Sequence, residues 1–188
     1  NVITQSCSGE FRQAEGLFDV SMDVDDYKEI IRKKTAVMIA NCCAAAGIAS
    51  EAGENIISCL ENFGLALGMA FQIRDDVADW NRGEKELGKP VIHDLRQGIV
   101  TLPLLFVLRL SKKKDTIRDI IISKNISEKQ LSFIQHEIIT TNSLGLAIKT
   151  ASEYIERAHQ HLGSLPETAG RQALEQLLSI TFESSPDN

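Results

Sequence analysis

From Ile56 to Ala78 the sequence is apolar almost all the way round a helix, and it ends in Phe71-Gln72-Ile73-Arg74-Asp75-Asp76-Val77-Ala78-Asp79-Trp80. A helix without a polar face belongs in a core. Extended back to Glu51 and on to Trp80 it would be ~45 Å long, with Gly53 a candidate break near its start. A segment of that kind forces its neighbours to be helices packed on several sides. Gly64 and Gly68, four apart, suit close approach by one of them. The remaining sequence agrees. Asp25 or Asp26 can cap a helix running to about Ala49, closed by Gly47 and Ser50. Further helical periods run near Thr101–Lys112 with Pro103 in the first turn, and near Asp115–Ser123, Ser127–Thr141, Leu144–Leu162 and Glu167–Phe182. Ser127 with Gln130 fits a capping box. Residues 81–92 hold two glycines and a proline and read as a loop, followed by a short turn at Asp94–Gln97. No strand shows firm alternation. The expectation is an all-α fold in one domain, residues 1–188.

Composition narrows the function classes. The 188 residues carry 20 Lys+Arg against 26 Asp+Glu, a net charge of −6. A nucleic-acid partner is not expected, because phosphate-backbone affinity needs clustered cations. No charge-free apolar stretch of ~18 residues exists, so no transmembrane segment is expected. The start, Asn1 to Glu10, has neither the basic nor the apolar character of a secretory signal. The four cysteines, Cys7, Cys42, Cys43 and Cys59, form no CxxC and suggest neither zinc nor a disulfide framework. Reduced thiols in a cytoplasmic protein are the simpler expectation.

The chemistry concentrates where the apolar helix ends. Asp75 and Asp79 share a face one turn apart, Asp76 lies a step round, and Gln72 sits one turn before Asp75. Carboxylates at a helix C-terminus meet the negative end of its dipole, at about 0.3–1 kcal/mol each. Asp75 and Asp79 also repel one another. Three acids so placed ask for a cation, and a hard divalent ion such as Mg²⁺ takes one or two carboxylates while leaving positions for water or phosphate. Simple termination of the helix in solvent is the alternative. Lys85 and Lys89 in the following loop, and Lys34 in the basic run Arg32-Lys33-Lys34, favour a diphosphate site. The GxxxxGK string at residues 83–89 lacks both the Ser or Thr and the preceding strand that a P-loop needs.

With these residues in place the sequence resembles the trans-type polyprenyl diphosphate synthases. Phe71-Gln72-x-x-Asp75-Asp76-x-x-Asp79 resembles that family's second aspartate-rich motif. Leu87-Gly88-Lys89-Pro90-Val91, Asp94-Leu95, Gly98 and Thr101-Leu102-Pro103 resemble the segment after it. Lys34-Thr35-Ala36 resembles its Lys-Thr element, and Gly9-Glu10-x-x-Gln13 the segment before that. Tyr154-Ile155-Glu156-x-Ala158, Leu165-Pro166 and Arg171-x-x-Leu174 have the look of its tail. The resemblance implies a helical bundle of the isoprenoid synthase type. It implies Mg²⁺-dependent prenyltransferase condensation of an allylic diphosphate with isopentenyl diphosphate. By position, Asp75 would bind Mg²⁺, with Asp76 and Asp79 binding directly or through water. Lys34 and Lys89 would hold the allylic diphosphate, Thr35 and Gln72 would set oxygens beside the developing cation, and Phe71 would line the hydrocarbon or isopentenyl site.

Two departures stand out. Ile99 occupies a place where many relatives carry Lys, which removes one diphosphate contact and favours a medium or long product. The family's first aspartate-rich motif has no counterpart, since Asp23-Val24-Asp25-Asp26 lacks its spacing. The expectation is a C-terminal portion of the bundle, incomplete at its N-terminal side and inactive alone. It would pair as a homodimer or with a complementary N-terminal portion. The alternative is a non-catalytic structural or regulatory subunit of a heteromeric prenyl synthase.

Overall fold

The computed structural model describes residues 1–81 and 92–183, and every described element is helical. The first helix, α1 (Val2–Glu15), is followed by α2 (Val24–Ile31), a π-helical turn (Arg32–Ala36) and α3 (Val37–Ala49), which run on as one rod. The cap of that rod lies earlier than the sequence suggested. Asp23 is the N-cap, its Oδ1 accepting from Asp25 N and Asp26 N at 2.8 Å each, and Asp26 reaches back to the Asp23 amide. Asp25 and Asp26 instead fill the first turn, where the helix dipole favours negative charge.

The long apolar helix is α4 (Glu54–Asn81). It lies between α3 on one side and α9 (Ser143–Gly163) on another. Close approach to α3 needs its glycines: a Cβ on Gly68 would stand 2.6 Å from Ala36 Cα, and one on Gly64 2.8 Å from Ala40 Cα. By length and composition Glu54–Trp80 could also cross a membrane. The sequence expectation missed this because Glu61 alone interrupts the apolar run. In this fold Phe63, Met69, Ala70, Ile73, Val77 and Trp80 are buried against other helices, as in a core helix.

Past the segment outside the described residues come α5 (His93–Gln97), α6 (Leu102–Leu110), α7 (Lys114–Ile122), α8 (Glu128–Thr140), α9 and α10 (Ala169–Glu183). Ser127 caps α8 with the expected Gln130 capping box. Two apolar clusters share α4. One gathers Ile73, Val77 and Trp80 with α6, α7 and α8; the other joins Phe63 and Leu67 to Ala158, Leu162 and Leu178. The C-terminal end of α4 is therefore held from several directions, which fixes the carboxylates it carries.

Candidate active site

Three elements meet at that end. The π-turn presents Lys34 and Thr35, α4 presents Gln72, Asp75, Asp76 and Asp79, and α1 lies across the π-turn. A π-turn inserts an extra residue into the helical register and is often found at functional sites. Here it separates the members of the basic run. Arg32 and Lys33 turn back to Glu29, at 2.8 and 3.1 Å. Lys34 turns the other way: its Nζ donates to Gln13 Oε1 at 2.7 Å and lies 3.6 Å from Glu10. Gly9 permits this arrangement, since a Cβ there would stand 2.5 Å from the Lys34 amide nitrogen.

Thr35 and Gln72 meet across the seam between the π-turn and α4, the Thr35 hydroxyl donating to Gln72 Oε1 at 2.7 Å. Gln72 Nε2 in turn donates to Asp76 Oδ1 at 2.9 Å, and the Tyr27 hydroxyl donates to Asp76 Oδ2 at 2.6 Å. Lys34, Gln13, Tyr27, Gln72, Asp76 and Thr101 line a small cavity of about 20 Å³, walled on its apolar side by Met22, Ile30, Ile31, Ile99 and Val100. Ile99 thus stands on the wall of the same cavity as Lys34.

The three aspartates of the motif have different surroundings. Asp75 is exposed. Asp76 is buried, with both oxygens engaged. Burial pushes its carboxyl up to about 7, against the opposing pull of the Tyr27 and Gln72 hydrogen bonds, and the charges of Asp94 and Asp75 add to the rise. Asp79 is also buried, and its Oδ2 accepts from the Asp94 amide at 2.9 Å, so it caps the short helix α5 from a distance. The Asp94 carboxyl is raised by burial first, then by Asp79 and Asp75, with His93 and Lys34 opposing. The Tyr27 phenol lies well above its usual range, chiefly through burial and then through Asp76. Phe71 is half exposed, one turn before Asp75.

Lys89, with Lys85 and the rest of the Leu87–Val91 segment, lies outside the described residues. Among the described residues no three carboxylates, histidines or cysteines are gathered closely enough to hold a metal by themselves. The donor chemistry still fits a hard divalent ion. The side chains at this end of α4 offer oxygens and no histidine or thiol, and a small ion that keeps water or phosphate oxygens needs only one or two protein carboxylates. The sequence reading singles out Tyr27 nowhere, and Asp94 only in a short turn and a resembling segment. Neither carries a local signal of its place here, because each is set by a contact between segments distant in the chain.

The comparisons with known proteins bear on the family and the fold. The polyprenyl synthetase family pattern matches residues 1–138. Heptaprenyl diphosphate synthase component 2 of Bacillus subtilis is 36% identical over 172 residues, which is 92% of this chain and 49% of that protein. A decaprenyl diphosphate synthase structure from Rhodobacter capsulatus superposes with a TM-score of 0.90 at 26% identity, over 97% of this chain and 57% of that one. A polyprenyl synthase from Caulobacter crescentus, complexed with calcium and isoprenyl diphosphate, superposes with a TM-score of 0.87 at 27% identity, over 96% of this chain and 56% of that one. The chain spans about half the length of the curated relatives it matches.

Proposed function

The chain belongs to the polyprenyl synthetase family, and from that premise we propose that it carries the diphosphate-ionising side of a prenyl-transfer site. The substrates are an allylic diphosphate and isopentenyl diphosphate. The observation that carries the reading is the convergence of Lys34, Gln72 and Asp76 on one cavity, with Thr35 bonded to Gln72, at the helix end that also carries Asp75 and Asp79.

Asp75 and Asp79 are the residues to hold Mg²⁺, with Asp94 near enough to add charge to the set. When bound, the ion supplies positive charge to a departing diphosphate. Lys34 adds an ammonium held by Gln13 and Glu10 beside the same group, as Lys89 does by resemblance. Thr35 and Gln72 turn oxygens towards the carbon that becomes positive. Charge stabilisation of this kind is strong because the groups are held in place before the reaction. The apolar flank of α4, with Phe71 at its edge, keeps water from a reactive cation. No side-chain base is needed if the released diphosphate takes the proton. The DDxxD spacing occurs only at Asp75–Asp79 in the sequence, so the 188 residues assayed alone are expected to show little condensation.

The test uses the polypeptide as its reading frame encodes it, with any partner chain that copurifies, supplied with labelled isopentenyl and farnesyl diphosphates. Asp75→Ala and Lys34→Ala should each lower turnover by about a hundredfold or more, with circular dichroism unchanged. Normal turnover in both variants refutes the reading and leaves the non-catalytic subunit. One observation favours a partnered form of either reading: the Bacillus subtilis relative is named as component 2 of its synthase.

A further inference from the structure

We propose that Tyr27 and Asp76 are positioning residues which lock the Gln72 amide, and that Asp76 serves in this way instead of as a metal ligand. The proposal rests on the prenyl-transfer reading for what Gln72 and Thr35 face.

The argument starts from hydrogen-bond capacity. Tyr27 and Gln72 both turn a hydrogen to Asp76, the arrangement that suits an ionised carboxylate, which only accepts. Asp76 Oδ1, at 2.9 Å from the Gln72 amide, therefore selects its NH₂ side, and Gln72 Oε1 is turned to Thr35 at 2.7 Å. A threonine hydroxyl has one proton. With that proton committed to Gln72, the Thr35 oxygen has only lone pairs left to offer. The edge shared by the two residues is thereby electron-rich, the sign that a developing carbocation requires. A flipped amide would place its carbonyl against a carboxylate and turn the Thr35 proton outward, reversing that sign.

Tyr27 completes the lock. It comes from α2, donates to Asp76 Oδ2 at 2.6 Å, and fixes the carboxylate plane from the side opposite Gln72. Tyr27 is 3% exposed and Asp76 6% exposed. A metal bound directly to Asp76 would have to reach the lone pairs that these two donors leave, on a carboxylate only 6% exposed. Asp75, next in the chain, is exposed and open to solvent. Tyr27 and Asp76 are 49 residues apart, so the lock also ties α2 to α4 at the site.

The experiment measures rate against Mg²⁺ concentration for the polypeptide as encoded, with any copurifying partner. Tyr27→Phe and Asp76→Asn should each lower kcat about 10–100-fold, the usual cost of losing a partner behind a reacting group. The Mg²⁺ concentration for half-maximal rate should stay within about twofold, whereas Asp75→Asn should raise it about tenfold or more. The double variant should be no slower than the slower single. A merely structural role would shift the melting temperature without this split. A rise in Mg²⁺ requirement for Asp76→Asn matching that of Asp75→Asn overturns the proposal, as does normal kcat in Tyr27→Phe. If Asp75→Asn and Lys34→Ala both keep full rates, the prenyl-transfer reading fails instead. The lock is then judged by NMR of the side-chain amides. The Gln72 pair, identified by its loss in Gln72→Ala, should contain a downfield, exchange-protected proton that moves in Tyr27→Phe; its absence overturns the lock.

Discussion

Replacing Gly9 by alanine adds one methyl group where the backbone of α1 crosses the backbone of the π-turn. That Cβ would lie 2.5 Å from Lys34 N, 2.8 Å from Lys34 Cα and 3.0 Å from Lys33 C. All three are main-chain atoms, so no rotamer change relieves the clash. The helices must part by roughly 0.9 Å to reach ordinary contact at 3.4 Å. Overpacking of a tight contact costs about 1–3 kcal/mol, and a backbone obstacle puts this case near the upper end. Alanine returns about 1 kcal/mol through helix propensity. The net expectation is a loss of about 2 kcal/mol. For a chain of this size that lowers the melting temperature by about 4–8 °C.

The consequence reaches the site, because Gln13 and Glu10 stand on the same helix and hold Lys34. Calorimetry of Gly9→Ala should be paired with Gly163→Ala, where no atom lies within 4 Å of the added Cβ. The control should melt at or above the wild-type temperature. Gly9→Ala melting with the control would refute the close crossing of α1 over Lys34, and with it the account of how that lysine is aimed.

Gly98 has φ +84° and the Phe18 ring 2.3 Å from the position of a Cβ, so Gly98→Ala combines backbone strain with a clash. Thermal denaturation should place it below Gly9→Ala, with a loss above about 2 kcal/mol. Buried Glu137 accepts from Lys113 and Ser111, at 2.6 and 2.7 Å, and these two bonds hold its carboxyl below the ordinary range despite burial. Its contribution is thus complete above the unfolded value of 4.5 and is lost progressively as pH falls from there through the lower folded value. Urea denaturation should show Glu137→Gln less stable by about 1–3 kcal/mol at pH 7, with the gap closing towards pH 3.

The helices were legible where local patterns decide them. The apolar run of α4, the Ser127–Gln130 box and the small residues facing α3 all act within a turn or two, and each stands in the structure. α1 was not legible as a helix, because its apolar residues are few and two of them, Ile3 and Phe11, remain exposed. What holds it is Gly9 on a backbone 25 residues away in sequence, a contact with no local signature. The cap of α2 went astray for a different reason. Asp23, Asp25 and Asp26 are all competent caps, and only the reciprocal bond from Asp26 selects Asp23. The π-turn follows the same rule: the run Arg32-Lys33-Lys34 reads as three similar cations, and the wide turn alone makes Lys34 the one that faces α1.

The motif at the end of α4 was legible as a set but not in its division of labour. Three acids at the negative end of a helix suggested a single demand for cations. The fold answers each acid differently. Asp76 is accommodated by two protein donors, Tyr27 and Gln72, and Asp79 by the Asp94 amide. That reply brings a fourth carboxylate, Asp94, into the range of Asp75 and Asp79, and its carboxyl is raised first by burial and then by these two charges. Asp75, Asp79 and Asp94 act on one another electrostatically with Lys34 opposing, although among the described residues no three such groups are close enough to hold a metal by themselves. The sequence reading set Asp75 beside Asp79 on one face and Asp76 a step round. Burial separates them further: Asp75 is at the surface, and Asp76 lies behind it, bonded to Gln72.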